Sequence, residues 1–254
     1  MITGDVWFWF LAGLATLLVG SSKGGLPLVG MLAVPIVALQ ISPVVAAGLL
    51  LPIYIVSDVY GLWLYRKSYD LRNIKIIVPA AAIGIVIGWA TVSITSDDLV
   101  KLLVGIIGLV YCADVVMKAR RTIAPRPADL PRGIFWGSIA GFTSFVSHSG
   151  APPYQMYVLP QRLEKMVYAG TSTIVFAIIN LLKLPPYWFL GQINVGSLRV
   201  AAILAPIAIT GAFLGYRLTK VLPEKIFFRI VEVALFLVSL KLVYDGIIGL
   251  WGAP

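Results

Sequence analysis

The sequence predicts an all-α polytopic membrane protein made of two inverted-topology repeats, each with about five hydrophobic segments and a broken or re-entrant helix pair. Three observations predict this class: an apolar composition, ten apolar segments, and an internal duplication. Of the 254 residues, 59% are hydrophobic and 12% are charged, and the mean hydropathy is +0.95. A soluble domain carries about a quarter charged residues. We therefore expect membrane protein along the whole chain.

The number and placement of the charged residues argue against a nucleic-acid-binding protein and against an enzyme. The net charge of +9 comes from Lys and Arg residues that cluster in short loops between apolar runs. This pattern is typical of cytoplasmic loops in a bacterial inner (plasma) membrane protein, and it argues against nucleic-acid binding. The chain has one histidine and one cysteine, Cys112, and no paired carboxylates. We expect neither enzyme activity nor a metal or other cofactor.

The apolar segments divide into long and short ones. They are read at about 5–19, 25–39, 43–65, 74–95, 98–117, 132–147, 151–160, 166–183, 198–219 and 225–249. The short ones form two adjacent pairs, and each pair is joined by a polar turn. We call Gly20–Gly25 the first tip and Ser147–Gly150 the second tip. Paired short arms around a polar turn predict re-entrant hairpins or broken helices.

The two halves of the chain repeat the same pattern. Six positions have counterparts 125 residues later. The first-half positions are Ser22, Lys23, Gly25, Pro27, Met31 and Pro35, and their counterparts are Ser147, His148, Gly150, Pro152, Met156 and Pro160. We predict a first repeat at 1–118, a cytoplasmic linker at 119–131 and a second repeat at 132–254. An odd number of crossings per repeat would invert the second copy. A chance alignment of glycines and prolines is the alternative.

Prolines follow both tips and suggest an anion site. Proline is favourable in the first turn of a helix, so the amides around 24–26 and 149–151 are expected to be free and to attract an oxyanion. The two tips would then meet near the middle of the membrane. The predicted substrate-binding residues are Ser21, Ser22, Lys23, Gly24, Gly25, Ser147, His148, Ser149, Gly150, Gln155 and Thr171.

Four ionisable or polar residues have more than one interpretation. Lys23 would bind the anion, or else extend to the membrane surface; His148 would bind it, or else hydrogen-bond its own tip. Asp58 and Asn180 are predicted coupling residues at equivalent positions 122 apart. Asp58 would carry a coupling proton or pair with Lys23 in the absence of the anion; a structural hydrogen bond is the alternative.

The motifs resemble one known family. Gly20-Ser-Ser-Lys-Gly-Gly-Leu-Pro27 and Gly141-Phe-Thr-Ser-Phe-Val-Ser-His-Ser-Gly-Ala-Pro152 resemble the duplicated signature of the TauE/SafE sulfite exporter-like family, also called the toluene-sulfonate uptake permease family. Ala169-Gly-Thr-Ser172, followed by Asn180 and Lys183, resembles its second-half continuation. The resemblance implies a transporter of sulfite, sulfoacetate, other organosulfonates or related sulfur-containing anions, often outward.

The sequence thus predicts a secondary transporter that works by alternating access around the two tips. An anion channel, or an importer of a related oxyanion or carboxylate, is the alternative. Its expected partners are a small sulfur oxyanion and membrane lipids. Small-residue pairs at Gly84 and Gly88 and at Gly211 and Gly215 predict close helix packing between the repeats, with a homodimer face as the alternative.

Overall fold

The computed structural model describes residues 6–94, 96–118 and 125–251, and all regular structure within them is helical. Its α-helices are α1 (Val6–Lys23), α2 (Ala33–Val37), α3 (Pro43–Tyr65), α4 (Leu71–Thr91), α5 (Asp97–Lys118), α6 (Leu130–Ser147), α7 (Ala151–Val158), α8 (Lys165–Phe189), α9 (Val195–Val221) and α10 (Glu224–Trp251). Short 3-10 helices precede α2 at Val29–Leu32 and follow α7 at Leu159–Gln161. The all-helical fold class is confirmed for these residues.

Several helices begin where the sequence supplies a cap. The side chain of Ser42 accepts from the amide of Val45 at the start of α3. The side chain of Asp129 does the same for Arg132 at the start of α6. Asn194 opens α9 with a reciprocal capping box. These side chains satisfy amides that have no partner inside the helix.

Five described helices are long and apolar enough to cross a membrane by length and composition alone. They are α1, α3 (from Val44), α4, α8 and α9. Many of the exposed side chains on these helices are large and apolar, such as Ile83 and Val86 on α4, which are 54% and 60% exposed. An apolar outer surface of this kind is consistent with a polytopic membrane protein.

The chain forms two compact units, and each combines parts of both sequence halves. The first unit contains α1, α2 and α3 together with α8 and α9; α1 packs on α9, and α3 packs on both α8 and α9. The second unit contains α4 to α7 and α10; α4 packs on α6, and α5 packs on α10. The compact units therefore interleave the halves in sequence, and the repeat boundaries at 118 and 132 stay a prediction about the duplication. Residues 119–124 of the predicted linker, and the chain ends at 1–5 and 252–254, lie outside the described residues.

Glycines allow the closest helix contacts inside each unit. A Cβ added to Gly84 on α4 would overlap the carbonyl oxygen of Ser138 on α6. A Cβ added to Gly211 on α9 would crowd the carbonyl oxygen of Leu17 on α1. Gly88 and Gly215 make similar contacts one turn later. The predicted close packing between a first-half helix and a second-half helix is therefore present in both units.

Two predicted segments differ from the observed helices. The segment at 25–39 is not one apolar arm, because a turn, a 3-10 helix and the five-residue α2 occupy it. The segment at 166–183 continues to Phe189 through Pro185 and Pro186. The residue before a proline is biased away from helical geometry. Tertiary packing overrides that bias here, and Lys183 consequently lies inside a helix.

Candidate functional site

The first tip is mostly helical. We expected a polar turn from Gly20 to Gly25, but α1 continues through Lys23, and the turn is confined to Gly24 and Gly25. Gly25 has a φ of 115°, a conformation that glycine adopts without strain. A Cβ at Gly24 would overlap the backbone of Gly215 and Tyr216 on α9. These glycines let the end of α1 turn tightly against α9.

Three hydroxyl groups anchor the end of α1. The carbonyl oxygen of Gly24 accepts from Tyr65 on α3 at 2.5 Å and from Thr219 on α9 at 2.9 Å. The carbonyl oxygen of Lys23 accepts from Thr173 on α8 at 3.1 Å. Carbonyls at the end of a helix have no partner within it. The sequence supplies these partners from three other helices, and this fixes the position of Lys23.

The side chain of Lys23 forms a buried ion pair. Its Nζ lies 2.8 Å from Oδ1 of Asp58 on α3, and the two side chains are only 5% and 4% exposed. The other carboxylate oxygen of Asp58 accepts from Nδ2 of Asn180 on α8 at 2.8 Å. Three predicted residues from three helices therefore meet at one point. The predicted pairing of Asp58 with Lys23 is present, and Asp58 and Asn180, which are equivalent in the repeat, contact each other.

Space and aromatic rings shape the surroundings of this ion pair. Gly61 on α3 lies against Lys23, and a Cβ there would come within 3.3 Å of the Lys23 Cβ and within 2.8 Å of Thr173 Cγ2. The Lys23 ammonium lies 5.0 Å from the centre of the Tyr54 ring and 5.9 Å from that of Phe176. Aromatic faces attract cations. The two rings therefore add to the attraction that Asp58 exerts on Lys23.

Lys183 is a buried lysine beside the candidate site that the residue patterns did not identify. It is 0% exposed on α8, one turn after Asn180, and its Nζ lies 5.9 Å from the centre of the Tyr187 ring. Our reading placed it at the end of a segment and named it only through the family resemblance. The signal that could have found it was its spacing, because residues three apart on a helix share a face.

Most of the expected hydrogen-bond donors at the first tip are used within the fold. The amide of Gly24 donates to the carbonyls of Gly20 and Ser21, and that of Gly25 to Ser22. The Ser22 hydroxyl donates to the carbonyl of Val19 at 2.6 Å. The expectation of free amides ahead of Pro27 is therefore wrong for Gly24 and Gly25. No regular helix starts at Pro27, so the first tip offers a buried cation and not the amino end of a helix.

The second tip has a different backbone. His148 ends α6 in the left-handed conformation, with φ 53° and ψ 22°. The amide of Ser149 donates to the carbonyl of Thr143 at 3.1 Å, and that of His148 to Ser144 at 3.2 Å. The first of these bonds spans six residues, as in a Schellman motif. The expectation of a free amide is therefore wrong at Ser149.

Helix α7 begins directly after the second tip, as predicted. Gly150 is its N-cap and offers no side-chain cap, and prolines occupy the first turn. The Ser147 and Ser149 hydroxyls donate to the carbonyls of Thr143 and Ser147 at 3.3 and 3.2 Å. Both hydroxyl oxygens can still accept a hydrogen bond. What an anion could meet here is the amino end of α7 near Gly150.

Gln155 on α7 is a buried polar residue whose side-chain amide could still donate and accept hydrogen bonds. It is 0% exposed, and neither the nitrogen nor the oxygen of its amide has a hydrogen-bond partner among the described residues. A buried amide without a partner costs about 1–3 kcal/mol. The Cα–Cβ bonds of a helix tilt toward its amino end, and the amino end of α7 is at the second tip. A ligand within reach of this amide would satisfy it.

The Thr171 hydroxyl both donates and accepts a hydrogen bond with the backbone. Its hydroxyl donates to the carbonyl of Val167 at 2.6 Å and accepts from the amide of Asp70 at 2.8 Å. These bonds hold the loop that ends at Asp70 against α8. The role of Thr171 as a ligand contact stays a prediction.

Comparison with known proteins places these features in a family context. The family model described as "Sulfite exporter TauE/SafE" matches residues 9–242. The match includes both tips, Asp58, Asn180 and Lys183. No curated protein and no solved structure matches the chain.

Proposed function

From the membership of this chain in the sulfite exporter TauE/SafE family, we propose that it is a secondary transporter of small sulfur-containing anions. Sulfite, sulfoacetate and other organosulfonates are the proposed cargo, and export across a bacterial inner membrane is the proposed direction. TauE/SafE is a transporter family, and its name refers to sulfite export.

The buried ion pair between Lys23 and Asp58 is the observation that carries this proposal. A lysine buried among apolar membrane helices is costly unless it has a partner or serves a ligand. Lys23 lies at the end of α1 and is enclosed by α3 and α8, and all three helices are candidate membrane spans. A cation held at such a place is suited to binding an anion.

The ion pair also supplies a mechanism for binding and release. An anion that binds Lys23 competes with Asp58 for the same ammonium group. When Asp58 is displaced it keeps the hydrogen bond from Asn180, 2.8 Å away, and it can take up a proton. When the anion leaves, Asp58 returns to Lys23. We propose Asp58 as the coupling residue and Asn180 as the group that positions it.

The helix pairing supports alternating access between inverted repeats. Helix α1 packs on α9, and α6 packs on α4. By position in the duplicated sequence, α6 corresponds to α1, and α4 corresponds to α9. The first helix of each half therefore packs on the fourth apolar segment of the other half, as expected of a duplicated transporter fold. The role of His148, Ser149, Gly150 and Gln155 as anion contacts at the second tip stays a prediction.

Counterflow in proteoliposomes tests this function. Vesicles loaded with unlabelled sulfite should take up labelled sulfite transiently and with saturation, because a carrier exchanges its cargo across the membrane. Empty vesicles and vesicles that contain the Lys23→Ala/Asp58→Asn protein are the controls. An ohmic current without counterflow would show that the protein is an anion channel and not a carrier. Absence of any sulfur-anion flux would refute the proposed function.

A further inference from the structure

Helices α4 and α6 of the second unit run parallel to each other. Near the start of both helices, a Cβ added to Gly133 on α6 would overlap the side chain of Ile76 on α4. Near their ends, a Cβ added to Gly88 on α4 would come within 2.9 Å of the Phe145 ring on α6. Because the contacts follow the same order along both helices, the first turn of α4 lies beside the first turn of α6.

An open groove of about 510 Å³ lies at these first turns. Its lining residues are Leu71, Arg72, Lys75 and Ile76 on α4 and Leu130 on α6. The side chains of Arg72 and Lys75 are exposed, and neither forms an ion pair within the described part of the chain. Leu71 and Leu130 are 52% and 58% exposed. The groove therefore combines two cations with an accessible apolar surface.

The acidic residues next to the groove in sequence do not cancel its positive charge. The carboxylate of Asp129, which precedes Leu130, lies 3.1 Å from the guanidinium of Arg132 and is compensated there. Asp70 is the acidic residue nearest in sequence to Arg72 and Lys75. Even when Asp70 is counted against these two cations, the groove keeps a net positive charge.

The length of α4 places the groove at the edge of the membrane. This helix is a candidate membrane span of 21 residues. At a rise of 1.5 Å per residue it is about 31 Å long, which is close to the thickness of the hydrocarbon core. Its first turns must therefore lie near the lipid headgroups if the helix is to cross. Long basic side chains at such a position extend toward the headgroup phosphates.

We propose that this groove binds one anionic glycerophospholipid of the surrounding membrane, such as phosphatidylglycerol. Arg72 and Lys75 hold the headgroup phosphate, and an acyl chain lies along Leu71, Ile76 and Leu130. Basic pockets between membrane helices bind acidic headgroups in this way. The cations and the apolar lining complement the two ends of the same lipid molecule. The inference concerns a lipid and not the transported anion, so it goes beyond the proposed function and does not depend on it.

The test is lipid titration of the purified full chain in detergent, followed by native mass spectrometry. The probes are phosphatidylglycerol and phosphatidylethanolamine with the same acyl chains, so that only the net charge of the headgroup differs. Phosphatidylglycerol should bind about tenfold or more tightly. Arg72→Gln/Lys75→Gln should remove that preference. Inorganic phosphate should not displace the bound lipid, because it has no acyl chain to lie along the groove.

The matched control is Lys225→Gln/Arg229→Gln. These two basic residues are also exposed and lie in the first turns of a helix of the same unit, α10, but neither lines the groove. This variant should bind phosphatidylglycerol as the unaltered protein does. If the double variant of the groove fails to fold, Lys75→Gln alone and the comparison of the two lipids on the unaltered protein still decide the question.

Equal binding of the two lipids by the unaltered protein would overturn the inference. So would a folded Arg72→Gln/Lys75→Gln protein that keeps the original preference, or an equal loss of binding in the α10 control. Displacement of the lipid by inorganic phosphate would show a site for free anions instead, and this would also contradict the proposal. None of these results bears on sulfite counterflow, which tests the proposed function separately.

Discussion

The two tips occupy equivalent positions in the duplicated sequence but differ in how they could hold an anion. At the first tip, Lys23 is part of a helix, its side chain is ion-paired with Asp58, and hydroxyl groups fix the backbone around it. At the second tip, His148 adopts a left-handed backbone, and the amide of Gln155 nearby has no partner among the described residues. The first tip thus offers charge that is already compensated, and the second offers unused hydrogen-bonding capacity.

This difference shows how duplicated copies can diverge while they keep their packing. The glycine contacts between α1 and α9 have counterparts between α6 and α4. The side chains at the tips are not constrained by those contacts. We infer that the first tip, within its own unit, offers electrostatic attraction, and that the second tip, within the other unit, offers hydrogen-bond donors. The following predictions test this division from the largest expected effect to the smallest.

Replacing Lys23 should have the largest effect on stability. Lys23→Ala leaves Asp58 as a buried charge without its cation, and breaking a buried pair in this way costs about 3–5 kcal/mol. The double variant Lys23→Ala/Asp58→Asn removes both charges and should recover most of that loss. Chemical denaturation of the purified proteins in detergent measures both effects. A single variant as stable as the original protein would show that the ion pair contributes nothing to folding.

The first tip also shows what the sequence can and cannot predict. The polar pattern and the duplication identified Lys23, Asp58 and Asn180, and the equivalence of Asp58 and Asn180 placed them at matching positions. The pattern did not predict that α1 continues through Gly20 to Lys23. Glycines and serines favour a turn locally, and the close approach of Gly20 to Ala208 and Ala212 on α9 is a tertiary contact that no local pattern shows.

Lys183 and Gln155 illustrate two other limits. The apolar segment was predicted to end at Lys183, whereas α8 continues past it to Phe189 and the side chain is buried. Gln155 was predicted as a contact, but a sequence does not show whether a buried amide finds a partner. Such bonding depends on groups far apart in the chain. For example, the side-chain amides of Asn73 and Gln161 donate hydrogen bonds to each other at 2.9 and 3.0 Å.

Replacing Gln155 should raise stability and lower affinity. Gln155→Met keeps the length of the side chain and removes a buried amide that has no partner, so the free energy of unfolding should increase by about 1 kcal/mol. Anion affinity should fall about tenfold, because the amide no longer donates to the ligand. Denaturation and calorimetric titration measure the two effects. Unchanged affinity would exclude Gln155 from the site, and a loss of stability would show that its amide has a structural partner.

Replacing His148 should have the smallest effect on stability. His148→Gly relieves the strain of a Cβ in the left-handed conformation, but it also removes a side chain that is only 7% exposed. The two effects oppose each other, so the free energy of unfolding should change by no more than about 1 kcal/mol. Arg162→Gly is the backbone control, because Arg162 has a φ of 52°, an exposed side chain and no predicted role in binding. Arg162→Gly should be stabilised, and only His148→Gly should bind sulfite more weakly. Equal affinities in the two variants would limit His148 to a structural role.

The most direct test of the central claim is sulfite counterflow by the double variant Lys23→Ala/Asp58→Asn in proteoliposomes. This variant carries neither charge of the ion pair, and the account predicts that it folds and inserts normally. It should take up no labelled sulfite, whereas the unaltered protein shows saturable uptake. Normal counterflow by the folded double variant would contradict the account, because the anion would then be bound without the buried cation of the first tip.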